Sequence, residues 1–353
     1  MSDANEVLLA IRTVVDGGEL SADDAAAAMD RIMSGSVTPA QIGALVTALR
    51  MRGETVEEIA GFASAMRRHA LRVNVDLDDG PLVDTCGTGG DASGTFNIST
   101  ATAFVVAGAG LKVAKHGNRS MSGLTAASLC GSADVVETLG VNLELSAAQV
   151  GRCVDDVGIG FLYAPLLHTA MKHVMAARRE VGFRTVFNLL GPLTNPAGAN
   201  AQIIGVAAAS LTEPLARVLA ELGTLRAFVV HGADGLDEIS STGESRVSEV
   251  REGNVRTFTV RPEDFDLPRA SLADLRGGDR EQNAQIIRAV LGGETGPKRD
   301  IVLMNAAAAL VAGAKARDLK EGVEQAARSI DGGAARAKLE ALIALSQKLA
   351  QEK

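Results

Sequence analysis

Short apolar segments alternate with longer helical ones from about residue 80 of this chain onwards. Segments 81–87, 111–117, 201–207 and 226–232 have the length and composition of strands. The helical segments between them are 98–110, 132–140 and 212–223. This alternation predicts a mostly parallel sheet with helices on its faces. Ligands of such sheets bind at the carboxyl ends of the strands, so the loops there are the first place to look for a site.

The first seventy residues carry helix-start signals only. Ser21 precedes two acids, Thr38 precedes Pro39, and Thr55 lies three residues before a glutamate, all patterns typical of helix N-termini. The sequence therefore predicts an α/β fold class made of a small all-helical domain and a larger α/β domain. The expected bounds are 1–76 for the helical domain, with the helical segment at about 165–190 packing onto it, and 77–164 with 191–353 for the α/β domain.

Composition narrows the class of function. The chain has 353 residues, with 35 Lys and Arg against 43 Asp and Glu, and no basic tail, which is not typical of proteins that bind nucleic acids or membrane surfaces. Cys86, Cys130 and Cys153 form no CxxC pair, so neither a disulfide framework nor a zinc ribbon is indicated. No signal peptide or membrane-spanning run is predicted, and we expect a cytoplasmic protein.

The sequence DTCGTGGDASGTFNIST, residues 84–100, has the strongest local signal. Gly87, Gly89 and Gly90 follow a strand, and glycines there allow backbone N–H groups to surround an anion. Polar groups at the start of the next helix, where the helix dipole favours phosphate, are those of Asn97, Ser99 and Thr100. Asp91 adds a carboxylate, which a phosphate arriving with Mg²⁺ requires nearby. A glycine-rich turn without a ligand is the alternative.

The sequence KHGNRS follows another strand, so its polar groups are expected at the same end of the sheet. Lys115 supplies a point charge and Arg119 a bidentate fork, and both suit phosphate oxygens. Taken alone, His116 is more often a packed histidine than a catalyst. Its grouping with Asn118 around Gly117 favours a binding site.

Two further segments contain candidate groups. Asp237 and Glu238 follow the strand at 226–232 and are candidate Mg²⁺ ligands, although such a pair is more often a solvated turn. The helical segment before the turn GPLTNP carries Lys172, Arg178 and Arg179. One of these cations is a candidate to bind a carboxylate group of a substrate.

The motifs GTGGD, NIST, KHGNR, GSAD, RREVGFRTVFNLLGPLTNP and HGADGLDE occur in this order. Together they resemble the anthranilate phosphoribosyltransferases of tryptophan biosynthesis, over nearly the whole chain. The resemblance implies transfer of the phosphoribosyl group of phosphoribosyl pyrophosphate to the amine of anthranilate, with release of pyrophosphate. It also implies Mg²⁺, a homodimer formed through the helices, and substrate binding between the two domains.

The resemblance implies residue roles as well. The residues expected to bind phosphoribosyl pyrophosphate are Gly87, Gly90, Asp91, Thr95, Asn97, Ile98, Ser99, Thr100, Lys115, His116, Gly117, Asn118, Arg119, Ser120, Ser122, Gly123 and Ser132. Those expected to bind anthranilate are Gly87, Asn118 and Arg178, and those expected to bind Mg²⁺ are Ser99, Asp237 and Glu238. No general base is assigned, and positioning by Lys115, Asn118 and Arg178 is expected to matter most.

Two departures from the family pattern and two alternatives stand beside this interpretation. The segment 121–130 is longer than the usual link and has Leu129 where a lysine is expected, and Leu167 replaces a histidine. A pyrimidine nucleoside phosphorylase would share the fold, but is expected to have a serine in place of Gly117 and to lack the two adjacent acids. A non-catalytic nucleic-acid-binding relative should have a basic face, which this acidic chain does not predict.

Overall fold

The structure of the protein, a computed structural model, describes residues 4–77, 80–91, 93–119 and 130–352. Its α-helices are α1 (Ala4–Val15), α2 (Ala22–Met33), α3 (Pro39–Arg52), α4 (Val56–His69), α5 (Ile98–Gly108), α6 (Ser132–Thr138), α7 (Ala147–Val157), α8 (Ala164–Leu167), α9 (Met175–Val181), α10 (Phe187–Leu190), α11 (Thr212–Glu221), α12 (Arg280–Leu291), α13 (Pro297–Ala312), α14 (Leu319–Asp331) and α15 (Ala334–Leu349). Its strands are β1 (Leu82–Gly87), β2 (Lys112–Gly117), β3 (Ile159–Tyr163), β4 (Ala201–Gly205), β5 (Arg226–Gly232), β6 (Ser245–Arg251) and β7 (Asn254–Val260). The predicted fold class, a helical domain followed by an α/β domain, is confirmed.

The N-terminal helices begin where their capping residues predict. The hydroxyl of Ser21 accepts a hydrogen bond from the backbone of α2, and Thr38 and Thr55 each form a capping box with the residue three positions on. Pro39 occupies the first turn of α3, where its missing N–H costs nothing. Side chains thus satisfy N–H groups that the helix leaves unpaired.

The sheet has the strand order β3-β2-β1-β4-β5-β6-β7. The first five of these strands are parallel, and β6 and β7 are antiparallel to their neighbours. The hairpin formed by β6 and β7 was not predicted from the sequence. Its turn is formed by Glu252 and Gly253, both with positive φ, which matches the twist of a two-residue hairpin.

Strand β1 lies inside the sheet between β2 and β4, where the chain order reverses. The chain runs from β1 through β2 to β3 on one side, and then resumes with β4 and β5 on the other side. Loops on the two sides of such a point lead away from each other and leave a crevice at the carboxyl end of the strands. The glycine loop after β1 opens directly into that crevice.

Two hydrophobic clusters lie on opposite faces of the sheet. One joins α5, α13 and α15 to residues such as Val113 and Phe228. The other joins α1 to α4 with α11 and with sheet residues such as Ile204 and Val229. In addition, α9 contacts α3 and α10 contacts α4. The second cluster contains residues from both sides of the predicted domain boundary at residues 76 and 77. The division of the chain into two domains at that point therefore stays a prediction.

Candidate active site

A cavity of about 400 Å³ opens at the carboxyl ends of β1 and β2, below the turn between α9 and α10. The predicted site residues that line it are Gly87, Gly90, Asp91, Thr95, Asn97, Ile98, Ser99, Lys115, His116, Gly117, Asn118, Arg119, Ser132, Arg178, Asp237 and Glu238. The structure does not bring Thr100 to this cavity, because its side chain faces the protein interior and is fully buried. The predicted residues Ser120, Ser122 and Gly123, and the departure Leu129, lie outside the described residues.

The glycine loop is held against the acids that follow β5. Gly89 and Gly90 have φ values of 63° and 81°, which residues with a side chain rarely adopt. The Gly89 N–H donates a hydrogen bond of 3.1 Å to Asp237 Oδ2. A Cβ atom on Gly87 would lie only 2.5 Å from the same oxygen. Two of these glycines are therefore required by conformation and a third by the close approach of Asp237.

Strands β1 and β2 separate beneath the cavity. Their ladder consists of the pairs Leu82–Lys112 and Val83–Val113 only, although each strand stays paired with its outer neighbour to its end. In the gap, buried side chains form the hydrogen bonds that the ladder no longer provides. Oδ1 of Asp84 accepts a 3.1 Å hydrogen bond from the backbone N–H of β2, and Nδ2 of Asn195 donates at 2.8 Å to both Asp84 Oδ2 and a β2 carbonyl.

Lys115 crosses this gap from β2 towards β1. Its Nζ donates to the carbonyl of Thr85 at 2.5 Å and lies 3.3 Å from Ser99 Oγ. The side chain is only 3% exposed, so its charge lies in a region of low dielectric constant, where it attracts anions more strongly than it would in water. Lys115 therefore presents a fixed positive charge at the floor of the cavity.

Three carboxyl groups converge at one side of the cavity. Burial, and then the charge of Asp91, raise the pKa of Asp237 to about 7. Burial, and then the charge of Asp237, raise the pKa of Glu238 well above its ordinary value. Such mutual repulsion is relieved by a bound cation. Among the described residues no three His, Cys, Asp or Glu side chains alone form a metal site, so substrate oxygens and water would complete the coordination of a Mg²⁺ ion.

Arg178 faces the cavity from α9. Its guanidinium stacks over the ring of Phe187, 5.7 Å from the ring centroid, and burial lowers its pKa. Within the described parts of the chain it forms no ion pair with a carboxylate. A half-buried arginine without a carboxylate partner is suited to bind an anionic group of a ligand.

The rest of the KHGNR segment is tied to α6. The guanidinium of Arg119 donates to Glu137 at 2.8 Å and to Asp134 at 3.0 Å, so its charge is already balanced within the protein. The Asn118 side chain accepts from the following backbone N–H at 2.8 Å. A Cβ atom on Gly117 would overlap the hydroxyl of Ser132, so a serine does not fit at position 117 of this structure.

His116 is buried beside a second histidine. Its Nδ1 lies 3.2 Å from the carbonyl oxygen of Gly191 and donates to it. The ring lies 5.0 Å, centroid to centroid, from that of His168. Burial, and then the neighbouring histidine, lower the pKa of His116 to about 3, and burial lowers that of His168 to about 4. Both are neutral at pH 7, so Lys115 supplies the positive charge that this segment directs into the cavity.

Several residues that line the cavity were not predicted from the sequence. Arg184, Phe183 and Asn188 belong to the turn between α9 and α10 and reach it from above. All three lie in the quoted motif RREVGFRTVFNLLGPLTNP. Arg184 could have been predicted, because Gly182 is typical of a helix end and an arginine two residues later lies in the loop, where it can reach a ligand.

The chain is similar to known proteins along nearly its full length. The family profile described as "Glycosyl transferase family, a/b domain" matches residues 79–336, and "Glycosyl transferase family, helical bundle domain" matches residues 9–70. An anthranilate phosphoribosyltransferase of Symbiobacterium thermophilum is 57% identical over 343 residues, covering 97% of this chain and 98% of the relative. One of Xanthobacter autotrophicus is 53% identical over 348 residues, covering 99% of both.

Solved structures give the same result. The crystal structure of anthranilate phosphoribosyltransferase from Thermus thermophilus has a TM-score of 0.90 and 43% identity, covering 96% of this chain and 99% of that one. The Saccharomyces cerevisiae enzyme in complex with phosphoribosyl pyrophosphate and Mg has a TM-score of 0.85 and 31% identity, covering 97% and 98%. These matches favour the first interpretation of the motifs over the phosphorylase and nucleic-acid-binding alternatives.

Proposed function

Because this chain belongs to the anthranilate phosphoribosyltransferase family, we propose that its cavity transfers the phosphoribosyl group of phosphoribosyl pyrophosphate to the amine of anthranilate. The observation that supports this most strongly is the placement of Lys115, the paired acids Asp237 and Glu238, and Arg178 around one cavity. These groups meet the three requirements of the reaction: an anion site, a metal site and a site for a carboxylate.

Phosphoribosyl pyrophosphate is assigned to the floor of the cavity. Its phosphates would lie between the glycine loop, the start of α5 and the ammonium of Lys115. Asn283, itself buried, donates at 3.0 Å to Asn97 Oδ1 and fixes the residue that precedes α5. The loop and the lysine are positioned before substrate arrives, which lowers the cost of ordering on binding.

Anthranilate is assigned to the upper side, next to α9. Arg178 would bind its carboxylate with two parallel N–H donors, and Asn118 would lie near its amine. This orientation directs the nitrogen towards the ribose C1 held below. Since an aromatic amine is already a nucleophile, holding it in line is the main contribution expected from the protein.

Mg²⁺ is assigned to Asp237, Glu238 and the hydroxyl of Ser99. The yeast relative was solved with phosphoribosyl pyrophosphate and Mg, and the crowded carboxylates of this cavity suit a divalent cation. When bound, the ion neutralises charge on the pyrophosphate leaving group. The positive charge of Lys115 would stabilise the negative charge on the same pyrophosphate oxygens.

The reaction forms the bond between C1 and the anthranilate nitrogen and breaks the bond between C1 and the pyrophosphate oxygen. The electron pair of the broken bond leaves with pyrophosphate, and the amine loses a proton to solvent or product. Positive charge develops on the ribose, so the nearby carboxylates stabilise the transition state as well.

The test is a comparison of two substrate mixtures. Pyrophosphate release should require anthranilate, phosphoribosyl pyrophosphate and Mg²⁺ together. Uridine phosphorolysis with inorganic phosphate, in the absence of turnover with the first mixture, would refute the proposal.

Two coarser expectations accompany it. Exposed apolar residues of α1 and α3, Leu9 at 62%, Val15 at 65% and Met51 at 84%, support the expected homodimer through the helices.

Among the described residues, no helix is both long and apolar enough to cross a membrane. The cytoplasmic location stays a prediction.

A further inference from the structure

Arg184 is bound to the glycine loop from the opposite side of the cavity. Its Nη1 donates to the carbonyl of Gly89 at 2.7 Å, and its Nη2 donates to the carbonyl of Thr88 at 3.3 Å. A Cβ atom on Gly90 would overlap Nη1, so the guanidinium occupies the space that this glycine leaves free. The loop and the arginine therefore fit together as a pair.

These bonds fix the direction of two peptide groups. The carbonyl and the N–H of one planar peptide point in opposite directions. Between Thr88 and Gly89, Arg184 holds the carbonyl, while Asp237 accepts from the N–H at 3.1 Å. Between Gly89 and Gly90, the carbonyl points to the guanidinium, so the N–H points away from it. Arg184 thereby sets which loop amides are available to an anion.

Within the described ranges, no carboxylate forms an ion pair with the guanidinium of Arg184. Burial lowers its pKa, and the charges of Asp237 and Asp91 oppose that effect. A guanidinium held mainly by neutral carbonyls, with three of its five N–H groups left over, keeps its attraction for an incoming anion.

Arg184 is also close in the chain to Arg178, the residue assigned to anthranilate. Helix α9, which carries Arg178, is terminated by Gly182 with a φ of 72°, and Arg184 follows two residues later. Beyond it, the Thr185 N–H donates to Oδ1 of Asn188 in α10 at 2.9 Å, which ties the end of the turn to that helix. Arg178 and Arg184 thus lie on the two sides of one short, hydrogen-bonded turn. A shift of this turn moves both guanidinium groups together.

We propose that Arg184 is a positioning residue that couples the two substrate sites, so that occupation of the glycine loop tightens binding at Arg178 and the reverse. The inference rests on the proposed function, because it takes pyrophosphate and anthranilate as the two ligands. Coupling of this kind is reciprocal and amounts to about five-fold or more in affinity when it is significant. Its physical basis is the shared turn and the two bonds to the loop.

The experiment uses a pair of ligands that cannot react with each other. Anthranilate affinity is measured by calorimetry on the full-length protein, with and without inorganic pyrophosphate and Mg²⁺. In the unaltered protein we expect pyrophosphate to tighten anthranilate binding by about five-fold or more. In Arg184→Gln this ratio should fall to near one, and Arg184→Lys, which can reach one carbonyl but not two, should give an intermediate ratio.

The control is Arg179→Gln, since Arg179 is exposed on the same helix and lies outside the cavity lining. It should keep the full ratio. An Arg184→Gln protein that binds both ligands with undiminished coupling, or an unaltered protein without coupling, would overturn the inference. Failure of the unaltered protein to bind either ligand would instead contradict the proposed function. Should the Gln variant not fold, the ratio in Arg184→Lys decides.

Discussion

Asn195 donates a 2.8 Å hydrogen bond to the fully buried carboxylate of Asp84, and the pair stands where the ladder between β1 and β2 has ended. Strand separation at this point is what allows Lys115 to reach across to Thr85. The buried amide thus supports the charge at the floor of the cavity, although it does not itself line that cavity.

Asn195→Ala should weaken both folding and substrate binding. It removes the donor to the buried Ala114 carbonyl and leaves Asp84 Oδ2 with only the weak donor Cys86 Sγ at 3.3 Å, which costs about 1–3 kcal/mol of unfolding free energy. As Lys115 loses its fixed position, the KM for phosphoribosyl pyrophosphate should rise more than that for anthranilate. Urea denaturation and steady-state kinetics measure the two effects.

Thr194→Val is the matched control for that change. Thr194 is fully buried in the same turn, and its hydroxyl donates to the carbonyls of Leu190 and Gly191. We expect it to lower stability without a selective effect on either KM. Equal kinetic behaviour of the two variants would show that Asn195 has no role beyond folding.

The buried histidines should make folding sensitive to acid. In the folded protein the pKa of His116 is lowered to about 3 and that of His168 to about 4, from an ordinary 6.5. Between these values and 6.5 the unfolded chain binds more protons than the folded one, so stability is complete above about pH 6.5 and is lost as the pH falls below it. Each histidine contributes a slope of about 1.4 kcal/mol per pH unit within its window.

Measurement of the unfolding free energy from pH 7 to pH 5 checks this expectation. His168→Gln should reduce the slope, whereas Leu167→Ala, at the neighbouring buried residue, should lower the whole curve and keep its slope. An unchanged slope in His168→Gln would mean that this ring does not titrate as its burial requires.

Arg178→Ala should act on one substrate. Removal of the guanidinium deletes the group assigned to the anthranilate carboxylate, so the KM for anthranilate should rise by about tenfold or more, equivalent to about 1.4 kcal/mol. The KM for phosphoribosyl pyrophosphate should change far less, and Arg179→Ala should affect neither. Equal increases for both substrates would contradict the assigned role.

Gly87→Ala should raise the Mg²⁺ concentration needed for half-maximal activity. The added Cβ would lie 2.5 Å from Asp237 Oδ2 and displace that carboxylate. Gly191→Ala is the control, since a Cβ there meets nothing within 4 Å and its φ is −50°. A Mg²⁺ requirement that is identical in both variants would speak against the placement of the ion at Asp237.

The sequence predicted those features that local patterns determine. Thr38 and Thr55 cap helices because capping depends on neighbours in the chain, and the glycine loop follows from residues 87–90 alone. The patterns do not show how side chains distant in sequence meet. Asn195 reaches Asp84 across 111 positions, and no motif connects them.

The sequence also did not predict the direction in which some side chains point. Thr100 was expected at the phosphate, but its side chain faces the interior, because α5 turns that position away from the cavity. Arg119 was expected to reach pyrophosphate, yet two carboxylates of α6 hold its guanidinium. Its role at the substrate stays a prediction, and the contacts favour a supporting one.

Transfer of a phosphoribosyl group to anthranilate in this cavity can be followed directly by the fluorescence of anthranilate. With phosphoribosyl pyrophosphate and Mg²⁺ present, the purified protein should consume anthranilate and release one pyrophosphate for each molecule consumed. The doubly substituted Asp237→Ala, Glu238→Ala protein should remain folded and do neither. Stable anthranilate fluorescence with the unaltered protein, or normal turnover and metal dependence in the doubly substituted one, would contradict the account.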